Sequence, residues 1–204
     1  MHDTEEEQIE AMKKWWEENG KSVIFGLCIG VVAIVGWNVW SSHKVEQGQE
    51  ASSLYTKLSQ NVDTDIAYAE TLNATIQDDF SSTVYAQLSE MKLAKVKLAS
   101  KDQAAAIAHL QKVVGSATGE MQHVAKLRLA RLLRDKGELD QAMTLVEGYQ
   151  DGAFSGLYAE IQGDLYVAKG DTEKAAAAYQ KAIVAGAAKE DWVQMKLDAL
   201  GVAK

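Results

Sequence analysis

From Val23 to Trp40 the chain reads VIFGLCIGVVAIVGWNVW, with Asn38 as its only strongly polar residue. At about 1.5 Å of rise per helical residue this run covers roughly 27 Å, close to the hydrocarbon thickness of a bilayer. A buried core helix would need apolar partners on every side, and the flanking sequence supplies none. A cleavable signal peptide fits poorly, because the preceding segment is long and acidic and Val39-Trp40-Ser41 is too bulky for a cleavage site. The run predicts one transmembrane helix over residues 21–40. Trp37 and Trp40 stand where one interface falls, and Trp15 and Trp16 near the other.

Orientation follows from basic residues near the span. Lys13, Lys14 and Lys21 precede it, whereas only Lys44 follows closely. That bias places the N-terminus in the cytoplasm and the long C-terminal part on the exported side. Within the span Ser22, Gly26 and Gly30 recur at every fourth residue, a face on which a second helix can approach closely. Before it, Ile9, Met12 and Trp16 follow helical spacing, and Asn19-Gly20 is expected to end that short helix.

Past the span, apolar residues keep a helical period, and no stretch of useful length alternates as a strand would. The fold class expected is all-α. Three segments align without gaps, running from Leu93-Ala94 to Leu110, from Leu129-Ala130 to Val146, and from Gly163-Asp164 to Tyr179. Their key alanines, Ala106, Ala142 and Ala175, lie 36 and 33 residues apart, against a tetratricopeptide period of about 34. Two antiparallel helices need small residues where they cross. Ala94, Ala130 and Gly163 supply them on the first helix, and the three alanines on the second. Gly137 and Gly170 suit the abrupt turn between helices, where the first repeat has Lys101. Lys97 stands in the column of Leu133 and Tyr166.

This divides the chain into a cytoplasmic N-terminal segment 1–20, the transmembrane helix 21–40, a degenerate first helical pair 41–85, three tetratricopeptide-like repeats 86–186, and a C-terminal capping helix 187–204. The first pair turns irregularly at Asn61-Val62-Asp63, and the cap contains Trp192, Met195, Lys196 and Leu200. A repeat array needs such a cap, because its last repeat otherwise exposes an apolar face.

The composition agrees. There is no proline, and Ala, Leu, Lys, Glu and Gln dominate. A net charge of -8 argues against nucleic-acid binding, which needs a basic face. The one cysteine, Cys28, lies in the span, so the remaining chain can hold no disulfide framework or cysteine metal site. His2, His43, His109 and His123 form no paired ligand motif, and phosphate-cradling glycine loops and nucleophile elbows are missing. The expectation is no enzyme, no cofactor and no metal.

Binding remains. Solenoids of this kind present the first helix of each repeat on a concave surface. By register, that surface is lined by Leu88, Met91, Lys95 and Leu98, then Val124, Leu127, Arg131 and Arg134, then Leu157, Glu160, Asp164 and Val167. It is apolar, with a basic patch in the middle and an acidic one beyond, a mixture that suits an extended or partly unfolded polypeptide.

The layout resembles the bacterial YfgM-like family of ancillary Sec translocon subunits over nearly the whole chain. The resemblance rests on Glu17-Glu18-Asn19-Gly20-Lys21, on the span closing Gly36-Trp37-Asn38-Val39-Trp40-Ser41-Ser42-His43, on Leu127-Arg128-Leu129-Ala130-Arg131, and on Met195-Lys196-Leu197. It implies a single-pass inner-membrane protein with a periplasmic repeat domain and no catalytic residues. Implied partners are the Sec translocon, a membrane-anchored periplasmic chaperone of the prolyl-isomerase type, and exported polypeptides, beside membrane lipid. The role implied is an adaptor that helps pass exported proteins to periplasmic chaperones. The alternative is a membrane-anchored scaffold that binds and restrains an envelope stress-response regulator.

Overall fold

The computed structural model describes residues 5–149, 151–186 and 190–201. His2 and parts of the expected segments 1–20 and 187–204 lie outside them. The chain falls into two compact units, Met1–Glu50 and Ala51–Lys204. Among the described residues the only regular elements are α-helices.

Helix α1 (Glu5–Asn61) comprises the described residues of the first unit and ends within the second. It is the one helix among the described residues long and apolar enough to cross a membrane. Its apolar side chains from Val23 to Trp40 point outward on all sides, including Phe25, Leu27, Val32 and Ile34. Such a helix is stable in lipid because its backbone polar groups are satisfied internally. The rings of Trp37 and Trp40 stand 5.2 Å apart, and the Lys44 ammonium lies 4.9 Å from the Trp40 ring.

The expected helix end at Asn19-Gly20 is corrected, since α1 runs straight through it. Asn19 turns its amide back to donate to the Trp15 carbonyl at 3.0 Å, and Gly20 is buried against Trp16, whose ring a Cβ would approach to 3.2 Å. These contacts offset the weak helix preference of both residues, which is about 1 kcal/mol for a glycine.

The second unit opens with the end of α1 and α2 (Ile66–Asp79), around a core of Ala51, Leu58, Val62, Leu72, Ile76 and Leu93. Three antiparallel pairs follow. They are α3 (Val84–Ala99) with α4 (Gln103–Ser116), α5 (Gly119–Lys136) with α6 (Leu139–Val146), and α7 (Ser155–Ala168) with α8 (Thr172–Val184). Helix α9 (Glu190–Asp198) closes the described structure and packs on α8 through Val193.

The three turns within pairs are alike. Lys101, Gly137 and Gly170 hold the left-handed conformation, with φ of 65°, 86° and 79°. The next residue's N–H returns to the carbonyl five residues behind it, from Asp102 to Lys97, Glu138 to Leu133, and Asp171 to Tyr166, at 2.8–2.9 Å. Asp102 and Asp171 then accept from the N–H groups of Ala105 and Lys174, capping the second helices. Glu138 makes no such side-chain cap. The crossing residues Ala106, Ala142 and Ala175 are fully buried, and Leu110, Val146 and Tyr179 fill the space one turn later.

Candidate functional site

The row of first helices α3, α5 and α7 carries the residues expected to meet a partner, and the structure sorts them into three groups. Met91, Lys95, Leu98 and Arg131 come together around one hollow of about 520 Å³ between α3 and α5. Its floor is apolar, from Met91, Ala94, Leu110 and Leu132, and its rim is charged, from Lys95, Arg128, Arg131 and Asp135. Leu98 is 45% exposed at the edge. Helical spacing explains the grouping, since Met91, Lys95 and Leu98 share one face of α3 while Arg128, Arg131 and Asp135 share one face of α5. The register had singled out Arg131 without the flanking Arg128 and Asp135. Their spacing from it, at i-3 and i+4, was the available signal.

A second group is closed by its own charges. Arg134, Asp164 and Val167 line a shallower hollow with Ala168 and Tyr179. Within it the Asp164 carboxylate accepts from Arg134 at 2.8 Å, from the Tyr179 hydroxyl at 2.8 Å and from Lys196 of α9 at 2.8 Å. Lys196 also donates to Glu160 at 2.8 Å. Arg134 is held in addition by Asp135. Burial and the bond to the Asp164 carboxylate both push the Tyr179 phenol well above its ordinary pKa, so it is a fixed donor. The acidic patch expected on this face is therefore neutralised from inside the protein.

The third group is structural. Leu127 is 3% exposed and sits in the main core, and Val124 and Leu157 pack against that core half-buried. Leu88 is half-buried on α3, outside both hollows. In the first unit Ser22, Gly26 and Gly30 are exposed, and a Cβ at either glycine would meet nothing within 4 Å.

Two polar clusters escaped the sequence. Glu90, on α3, is 2% exposed. Its carboxylate accepts from Asn73 of α2 at 2.9 Å and from Lys112 of α4 at 3.2 Å, and lies 2.5 Å from His109 Nδ1. Burial works to raise its pKa, but these partners outweigh burial and hold it below the ordinary carboxylate range. The second cluster surrounds His123, whose Nδ1 lies 2.9 Å from the Tyr158 hydroxyl while its ring stacks on Phe154. Both join helices together. Among the described residues no three His, Cys, Asp or Glu side chains converge as metal ligands.

Comparison with known proteins adds to this geometry. A family model described as a tetratricopeptide repeat-like domain matches residues 13–202. Proteins named ancillary SecYEG translocon subunit from Aggregatibacter actinomycetemcomitans and from Haemophilus influenzae are each 32% identical over 199 residues, covering 96% of this chain and 97% of theirs. The protein of that name from Escherichia coli K12 is 27% identical over 209 residues, 99% of both chains. No solved structure matches significantly.

Proposed function

Since the chain belongs to the tetratricopeptide repeat-like family, among relatives named ancillary SecYEG translocon subunits, we propose that it is a non-enzymatic, membrane-anchored adaptor of the Sec translocon. In this reading α1 holds the repeats at the exit side of an inner membrane, with the N-terminus cytoplasmic by the bias of Lys13, Lys14 and Lys21. The repeat domain is then periplasmic. It takes exported chains and passes them to periplasmic chaperones, including a membrane-anchored one of the prolyl-isomerase type. The face Ser22, Gly26 and Gly30 is left for a helix of the translocon.

The observation that carries the proposal is the hollow floored by Met91 and Leu132 and edged by Leu98, in a chain that also has a helix long and apolar enough to cross a membrane. An apolar floor with Leu98 exposed at its edge suits a polypeptide that has not yet buried its own side chains. The test is photo-crosslinking from position 98 in intact membranes. Many different newly exported chains should be labelled, and labelling should depend on ongoing export. Capture of one abundant folded regulator would overturn the adaptor reading in favour of a restraining scaffold. Protease added to spheroplasts should digest the repeats and spare the N-terminus, and the opposite pattern would overturn the orientation.

A further inference from the structure

The charges along the row of first helices do not cancel evenly. Asp135 and Asp164, which line the two hollows, and Glu160 beside Asp164 each already have a cation. Asp135 holds Arg134, Asp164 holds Arg134 and Lys196, and Glu160 holds Lys196. Lys95, Arg128 and Arg131 have no ion pair or hydrogen bond of their own among the described residues, and all three line the hollow between α3 and α5. A protein of net charge -8 thus gathers three unmatched cations around an apolar floor. Lysine and arginine stems can lie along apolar surface while their heads stay in water, so the floor and the charges are available to one ligand together.

The geometry points to a specificity at this site: it takes an extended polypeptide segment in which an apolar side chain is flanked by aspartate or glutamate. This rests on the adaptor reading and narrows its substrate. The apolar side chain seats on Met91, Leu98 and Leu132, and the flanking carboxylates meet Arg128 and Arg131, whose guanidinium forks match a carboxylate in shape as well as sign. A small anion would leave the floor unused. A purely apolar segment would leave the cations unmatched. A basic segment would be repelled by all three, so like charge supplies the discrimination.

The test uses the full chain in phosphatidylcholine nanodiscs and three fluorescent peptides read by anisotropy. Each has a central leucine, flanked in turn by aspartate and glutamate, by serine and glutamine, or by lysine. The acidic probe should bind about tenfold more tightly than the lysine probe at low ionic strength, and that margin should shrink as added salt shortens the screening length. Arg128→Gln with Arg131→Gln should abolish the margin. Leu98→Ser should weaken the acidic and neutral probes alike. Lys181→Gln, on an exposed position of α8, should change nothing. Equal binding of the three probes, or a margin that survives in the double variant, overturns the proposal. So does displacement of the acidic probe by phosphatidylglycerol vesicles at a concentration where phosphatidylcholine vesicles have no effect, since that assigns the cations to lipid. The two readings fail separately. A single folded partner in the membrane crosslinks removes the adaptor role, whereas indifference to peptide charge removes only this specificity.

Discussion

The ring of Tyr179 lies directly against the backbone of Gly163, so closely that a Cβ at position 163 would overlap it. The contact lets α7 and α8 approach until the Tyr179 hydroxyl reaches Asp164 at 2.8 Å. Gly163→Ala should destabilise the repeat domain by about 1–3 kcal/mol, the usual cost of forcing extra volume into a packed crossing. Tyr179→Phe keeps the ring and removes the donor, and should cost about 1 kcal/mol. Urea unfolding of a 41–204 fragment gives both values, once its far-UV circular dichroism is seen to be helical. A neutral Gly163→Ala would mean that the two helices do not cross there.

Alanines on two second helices make the same point, Ala142 on α6 and Ala175 on α8. Ala142 and Ala175 are fully buried, whereas Ala177 is exposed. Ala142→Leu and Ala175→Leu should each cost about 1–3 kcal/mol. Ala177→Leu should stay within about 0.5 kcal/mol, as surface changes do. Equal costs in the same unfolding experiment would put the repeat register out of place.

Lys101 occupies a left-handed position that its two counterparts give to glycine. A side chain there costs about 1–2 kcal/mol, partly offset by the greater freedom of an unfolded glycine. Lys101→Gly should therefore raise stability by roughly 0.5–1 kcal/mol. In the second repeat, Glu138 stands where Asp102 and Asp171 cap. Glu138→Asp should add about 0.5 kcal/mol by completing the cap. A rise in the denaturation midpoint for each variant is the check, and a fall for Lys101→Gly would contradict the turn geometry.

Glu90 sets a pH dependence. Its folded pKa lies below its unfolded one, so its contribution is present above the ordinary carboxylate pKa of roughly 4.3 and is lost as the pH falls through the lower folded value. Glu90→Gln should destabilise the domain at pH 7, where Lys112 and His109 lose their buried partner. The gap from the parent should narrow toward pH 3. Parallel stability curves for the two proteins across that range would show that the carboxylate does not link folding to acidity.

The sequence resolved what depends on local chemistry and left out what depends on distant neighbours. The turn columns are legible because a turn residue followed by an acid recurs at a fixed offset, which brings Lys97, Leu133 and Tyr166 into one column. The same register puts Met91, Lys95 and Leu98 on one face, but it gives no sign that Leu127 is buried in the core while Arg131 lines the hollow. Glu90 and His109 were not legible as a pair, because they sit on different helices and neither belongs to a repeated column. Asn19-Gly20 misled for the opposite reason: the local signal for a helix end is real, and the Trp15 carbonyl and the Trp16 ring override it.

The matching of Glu160 and Asp164 by Lys196 and Arg134 gives the row of first helices a direction. Unmatched charge is found on α3 and α5, and α7 is electrically quiet. If the proposed acidic segment binds here, one with its carboxylates near one end would be held with that end toward the earlier repeats, and reversing it would forfeit the attraction. Under that proposal the surface would distinguish the head of a segment from its tail.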